Sequence, residues 1–122
     1  MKNAINWFEI PSEDFERALK FYSTIFGIEM RVQNFGDLKM AFFPCEKDGV
    51  GGTIVHHPDH YKPSDQGVLI YLNANPDLDK VLSKVEKAGG KIIQSKKMVS
   101  PGVSMALVLD SEGNRIALHS VN

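Results

Sequence analysis

The sequence predicts an α+β fold in which two βαβββ repeats form one curved mixed-sheet domain with a central cleft. The first observation is an internal repeat, since a shift of 63 residues (12 to 75) places Ser12–Gly27 on Asn75–Gly90 without a gap. The same shift places Gly52–His56 on Arg115–His119. The second observation is an apolar stripe at helical spacing in each copy, followed by glycine. Because one supersecondary unit occurs twice, we expect a ligand to bind in the cleft between the two copies.

Each predicted helix begins at a capping residue and ends at glycine. Ser12 is expected to cap a helix near residues 13–26. Asn75 is expected to cap a helix near residues 76–88, with Pro76 in its first turn. The predicted strands are Ile5–Pro11, Glu29–Asn34, Lys39–Pro44 and Thr53–His57 in the first unit, and Val68–Asn73, Lys91–Gln94, Ser104–Leu109 and Arg115–Ser120 in the second.

Residues 1–122 are predicted to form a single domain, with repeat units at about 4–57 and 67–121 joined by a polar loop, 58–66. The chain has 43% apolar and 24% charged residues and a formal net charge of −1, which is typical of a globular protein. Because no basic cluster is longer than two lysines, a nucleic-acid partner is not expected. No apolar run approaches the ~20 residues of a membrane span, so no membrane partner is expected.

Cys45 is the only cysteine, so the chain forms no internal disulfide. The N-terminus shows no apolar stretch of the signal-peptide type. Both observations favour a cytoplasmic location.

Several motifs occur in the order found in one protein family. Phe21-Tyr22 precedes Phe26-Gly27 at the end of the first helix, and Asp110–Asn114 precedes the last strand. With the two βαβββ units, these motifs resemble the vicinal oxygen chelate superfamily, which comprises glyoxalases, bleomycin-resistance proteins and extradiol dioxygenases. Within it, the chain is most similar to small proteins related to lactoylglutathione lyase. The resemblance implies a half-barrel from each unit, a cleft that often holds a divalent metal, and a homodimer.

The resemblance also implies where metal ligands would lie, on the first and last strands of each unit. Counted from the helix-ending glycines and the last turn, and carried between units by the repeat, these positions are Trp7, Ile54, Ile70 and Ala117. An indole offers only an N–H donor, and the aliphatic side chains offer no lone pair. Because a transition-metal site needs about three N, O or S donors, no metal and no cofactor are expected there.

Side-chain alternation along the strands predicts an apolar cleft with few polar groups. Met40 or Met105 is expected to contribute to its wall. The predicted ligand-binding residues are Trp7, Phe42, Ile54, His56, Ile70, Leu72 and Ala117.

Three functions remain open from the sequence. The first is metal-independent binding of a small molecule in the apolar cleft. The alternative is an isomerase or lyase related to lactoylglutathione lyase, with Glu9 and His119 as acid and base. The third is a metal-dependent enzyme, for which His56 and His119 could form a relocated site. Open sheet edges and the family resemblance predict a homodimer.

Overall fold

Two four-stranded sheets, each with one helix, make up the computed structural model, which describes residues 2–121. The first unit contains β1 (Trp7–Pro11), α1 (Phe15–Phe26), β2 (Arg31–Phe35), β3 (Leu38–Phe42) and β4 (Gly51–His56). The second contains β5 (Tyr71–Asn73), α2 (Leu78–Val85), β6 (Lys91–Ser100), β7 (Val103–Leu109) and β8 (Arg115–Val121). The predicted α+β class and the two βαβββ units are confirmed.

Both sheets are mixed and have the same topology. Their strand orders are β1-β4-β3-β2 and β5-β8-β7-β6. The first strand of each unit runs parallel to the last, and the other pairs are antiparallel. Neither sheet closes into a barrel, so each leaves two edge strands.

The helix caps differ from the predicted ones. Asp14 caps α1 by accepting the Arg17 N–H at 3.1 Å, and Asp77 caps α2 in the same way. Ser12 does not cap because its hydroxyl is buried and donates to the Val55 carbonyl oxygen at 2.8 Å. The predicted glycine stop of α1 is confirmed, since Gly27 has a left-handed φ of 62°.

Most strands lie within a few residues of their predicted bounds, but two differ more. β5 begins at Tyr71, three residues after the predicted start at Val68. β6 continues to Ser100, well beyond the predicted end at Gln94. Its pairing with β7 has three register irregularities, and such bulges break the alternation from which a strand is recognised.

One hydrophobic core joins the two units. Each helix packs on one face of its own sheet, and the two helices pack against each other. The core therefore contains side chains from both sheets and both helices, and the opposite faces of the two sheets point away from it. The fully or nearly fully buried core members include Ile10, Phe21, Tyr22, Ile25, Ala41, Ile54, Leu72, Leu78, Val85, Val108, Ile116 and Leu118.

A buried carboxylate connects the second unit to α1. Asp110, in the turn before β8, accepts the Tyr22 hydroxyl at 2.6 Å and the Asn114 side-chain amide at 2.9 Å. It also accepts the backbone N–H groups of Glu112 and Asn114 at 2.8 and 2.9 Å. Burial raises the pKa of Asp110, although these hydrogen bonds oppose the shift. Burial, together with the Asp110 charge, raises the pKa of Tyr22 well above its usual range.

Glu112, from the same turn, binds the N-terminus of α1. Its Oε1 accepts the backbone N–H groups of Glu13 and Asp14 at 2.9 and 2.7 Å. Its Oε2 accepts Nε of Arg17 at 2.7 Å. Burial alone would raise the pKa of Glu112, but the hydrogen bonds from Arg17, Asp14 and Ser111 together lower it. A carboxylate at this end of a helix is also favoured by the helix dipole.

Candidate ligand-binding site

The faces of the sheets that point away from the helices carry the candidate site. Residues opposite each other in register lie on the same face of a sheet. We call the first face the side of the first sheet that bears Trp7, Glu9, Met40, Phe42, Thr53 and Val55. We call the second face the side of the second sheet that bears Tyr71, Asn73, Gln94, Lys97, Met105, Leu107, Ala117 and His119.

Trp7 is the most prominent side chain of the first face. Its side chain remains 43% exposed, and its ring meets the Phe42 ring edge-on with 6.0 Å between centroids. The indole lies over Gly51, where a Cβ atom would come within 2.9 Å of Cζ3. The Arg31 guanidinium lies 4.2 Å from the centroid of the Phe42 ring. The first face therefore presents an aromatic surface with a cation at its border.

Thr53 lies in the floor of the first face, opposite Glu9 and Phe42 in register. Its side chain is fully buried, and its hydroxyl has no hydrogen-bond partner within residues 2–121. A buried hydroxyl without a partner costs about 1–3 kcal/mol, so such groups are uncommon. A polar atom of a ligand could supply the missing partner.

Glu9 positions its neighbours on the first face. One carboxylate oxygen accepts the Tyr61 hydroxyl at 2.7 Å, and the other accepts the Trp7 indole N–H at 3.4 Å. The hydrogen bond to Glu9 raises the pKa of Tyr61. Glu9 thus connects the loop between the units to the exposed indole.

The second face combines an apolar floor with polar side chains. Met105 is 7% exposed, and Ala117 is fully buried. The Tyr71 ring is 56% exposed and meets the His119 ring edge-on, with 6.0 Å between centroids. A cavity of about 480 Å³ is lined by Tyr71, Gln94, Lys97, Val99, Met105 and His119.

The predicted lining residues fall into two groups. Trp7, Phe42 and Ala117 lie on the first or second face, as do Glu9 and His119. Four of the predicted residues lie elsewhere, because Ile54 and Leu72 belong to the core, Ile70 packs against that core, and His56 lies on the same side as Ile54. The His56 ring nitrogen Nδ1 lies 2.8 Å from the Ser12 carbonyl oxygen, which gives His56 a structural partner.

The error has a physical cause in the length of the units. The Ser12 N–H donates to the Val55 carbonyl oxygen, and the Ala74 N–H donates to that of His119. These equivalent bonds relate β4 to β8 by 64 residues (119 minus 55), not 63. They relate β1 to β5 by 62 residues (74 minus 12). Ala117 therefore corresponds to Thr53, and Trp7 corresponds to Leu69.

With this correction, the positions implied for metal ligands are held by Trp7, Thr53, Leu69 and Ala117. Only Thr53 among them has a side-chain oxygen, and a site needs about three donors. No group of three His, Cys, Asp or Glu side chains within residues 2–121 is arranged to hold a metal. The residues at these positions do not fit a metal.

The expected meeting of Glu9 with His119 is not seen in one chain. Glu9 lies on the first face and His119 on the second, and both faces point away from the shared core, which contains side chains of both helices. The 480 Å³ cavity includes no residue of the first sheet. Trp7 and Ala117 are separated in the same way.

Comparison with known proteins identifies the family. A model of the glyoxalase/bleomycin resistance protein/dioxygenase superfamily matches residues 4–118. The chain belongs to this superfamily. The resemblance drawn from the motifs and the repeat is thereby confirmed.

Relatives of this superfamily member match nearly its whole length. It is 32% identical to a glyoxylase-like domain-containing protein of Didymella fabae, over 93% of this chain and 91% of that protein. A glyoxalase/bleomycin resistance protein from Catenulispora acidiphila is 26% identical, with 98% and 100% of the chains covered and a TM-score of 0.66. Glyoxalase I from Zea mays is 21% identical with a TM-score of 0.69, and the match covers 95% of this chain but 44% of the maize chain. The maize likeness concerns the fold alone.

Sequence reasoning missed Thr53, Tyr71, Gln94 and Lys97 as residues of these faces. A threonine inside a β-strand carries no signal that its hydroxyl is unpartnered. Gln94 and Lys97 share a face only because of the bulges in β6. Tyr71 was missed because its neighbours Ile70 and Leu72 were predicted to line the cleft, which places Tyr71 on the other side of the strand.

Proposed function

We propose that this protein is a metal-independent binding protein for an apolar or aromatic small molecule. The surface around Trp7 is the observation that supports this best. A large ring is 43% exposed there, beside Phe42 and above the buried, unpartnered hydroxyl of Thr53. Small-molecule sites commonly combine apolar walls with a few placed polar groups.

Two further observations support the proposal. Membership of the glyoxalase/bleomycin resistance protein/dioxygenase superfamily favours a small-molecule ligand. Metal independence is supported by the side chains at the four implied ligand positions, which together supply one hydroxyl oxygen.

The structure also has no helix long and apolar enough to span a membrane within residues 2–121.

We also propose that two copies of the chain pair, with the first face of one copy against the second face of the other. Both faces point away from the core, and both carry exposed aromatic rings, such as Trp7 and Tyr71. Open sheet edges favour association. This pairing would bring Glu9 of one copy near His119 of the other, which an acid–base enzyme would require.

Light scattering tests the pairing. We expect a species of twice the chain mass of 13.6 kDa at micromolar concentration. A monomer alone would contradict the pairing and, with it, the enzyme that needs both Glu9 and His119. It would leave binding at the Trp7 surface unaffected.

Binding at the Trp7 surface can be measured with a neutral aromatic dye. We expect N-phenylnaphthylamine to bind with enhanced fluorescence and to accept energy from Trp7, the only tryptophan in the chain. Trp7→Ala is expected to weaken dye binding about fivefold or more, because a lost aromatic contact costs about 1 kcal/mol. The dye's own fluorescence gives the affinity in the variant.

Val32→Ala is the matched control, because Val32 is also 43% exposed but lies on the helix side of the first sheet. The dye affinity of Val32→Ala should equal that of the wild type. Dialysis of the wild-type protein against a chelator should also leave its dye affinity unchanged. Equal losses in both variants would contradict the assignment of the site. If Trp7→Ala unfolds the protein, Trp7 is a core residue and the proposed site is wrong.

A further inference from the structure

The second face differs from the first in its charge. The strands β5 to β8 contain no aspartate or glutamate, whereas β1 contributes Glu9 to the first face. Lys97 pairs in register with Met105, which in turn pairs with His119. These three side chains therefore share one face. The second face combines a cation with an apolar floor.

Lys96 and Lys97 are neighbours in β6 but have different surroundings. Lys96 Nζ lies 3.0 Å from Oδ2 of Asp79 on α2. Lys97 lines the 480 Å³ cavity and has no carboxylate within salt-bridge distance in the part of the chain that the structure describes. An ammonium group that borders a cavity without a counter-ion attracts anions.

Gln94 adds a hydrogen-bond donor to the same cavity. Its side-chain amide nitrogen lies 3.6 Å from the Met105 sulfur, its acceptor in the structure. A thioether is a weak acceptor, so an anionic oxygen would be a better partner for this N–H. Lys97 and Gln94 thus offer two donors beside an apolar floor.

We infer that this cavity binds an organic anion with an apolar body. The charged group lies between Lys97 and Gln94, and the apolar part packs on Met105 and Tyr71. A carboxylate, sulfonate, phosphate or phosphonate would satisfy the two donors equally well. The site lies on the second face, apart from the Trp7 surface of the same chain, so the inference adds a second class of ligand to the proposed function. A volume of about 480 Å³ lies within the range of small-molecule sites.

Two dyes with the same aromatic skeleton test the inference. Anilinonaphthalene sulfonate carries a negative charge, and N-phenylnaphthylamine carries none. We expect Lys97→Gln to weaken binding of the sulfonate about fivefold at low salt, since an exposed pair of opposite charges gives an effect of about this order. The same substitution should leave the affinity of the neutral dye unchanged, because that dye binds the Trp7 surface on the other sheet.

Lys96→Gln is the matched control, because it removes the same charge from the adjacent residue outside the cavity. It should keep the wild-type affinity for the sulfonate, as should Lys97→Arg. An unchanged sulfonate affinity in Lys97→Gln, or equal effects of the two glutamine substitutions, would overturn the inference and leave the proposed function intact. Failure of both dyes to bind would overturn the proposed function and this inference with it.

Discussion

Asp110→Ala is expected to lower the free energy of unfolding by about 3–5 kcal/mol, as when one partner of a buried charged network is removed. The carboxylate accepts four hydrogen bonds, from the Tyr22 hydroxyl, the Asn114 side chain and the N–H groups of Glu112 and Asn114. Asp110 is 3% exposed, so water cannot replace it at every donor. The midpoint and slope of urea unfolding measure the loss.

Two variants show whether the loss comes from the hydrogen bonds. Tyr22→Phe removes one donor and should cost about 1.5–3 kcal/mol, in the range of a single hydrogen bond to a charged group. The double variant should be more stable than the sum of the two single losses predicts, because the two residues contact each other. An unchanged urea midpoint in Asp110→Ala would contradict the role given to this carboxylate.

Glu112→Gln is expected to destabilise the protein by about 1–3 kcal/mol at pH 7, because hydrogen bonds to a charged group contribute about that much. The Glu112 side chain is fully buried, and it accepts two backbone N–H groups at the start of α1 as well as the Arg17 guanidinium. Glutamine retains one acceptor oxygen, but its amide group cannot accept from Arg17. Urea unfolding of the variant and the wild type measures the difference.

The same comparison has a defined pH dependence. The pKa of Glu112 is lower in the folded state than in the unfolded state, so the charged form stabilises the fold above the unfolded pKa of about 4.3. This contribution is lost as pH falls through the folded pKa. The difference between wild type and Glu112→Gln should therefore shrink below about pH 4, near that reference value. Asp110 is present in both proteins, so its opposite shift largely cancels. A constant difference between neutral and acidic pH would contradict the prediction.

The sequence predicted the fold well because its signals are local. The apolar stripes of the helices and the glycine after α1 depend on residues a few positions apart, and the structure contains them. Ser12 shows the limit of such reasoning. It has the chemistry of a helix cap, but its hydroxyl bonds to Val55 across the sheet, 43 residues away. The hydrogen bond to Val55, which forms only in the folded sheet, determines the role of Ser12, although its local sequence also suits a helix cap.

The site was less predictable because it depends on register. A shift of one residue in register exchanges the two faces of a strand. Because the predicted correspondence was shifted by one residue, Ile54 lies in the core and not in the expected cleft. The repeat predicted equivalent positions, but it did not show that the second unit has one more residue than the first between its first strand and its helix, and one more between its helix and its last strand. Trp7 and Ala117 were found by motif counts within their own unit, whereas the same kind of count from Gly90 gave Ile70 instead of Leu69.

The contact of Tyr22 with Asp110 bears on the history of the repeat. In the 63-residue correspondence, the place of Tyr22 in α2 is held by Val85, which has no hydroxyl to satisfy. The dependence is therefore one-sided, because the first copy requires an acceptor that only the second copy provides. If the two halves descend from a duplicated ancestor, they have specialised since then and are no longer interchangeable. The first half alone would have a phenol without its acceptor, so we expect it to be unstable without the second half.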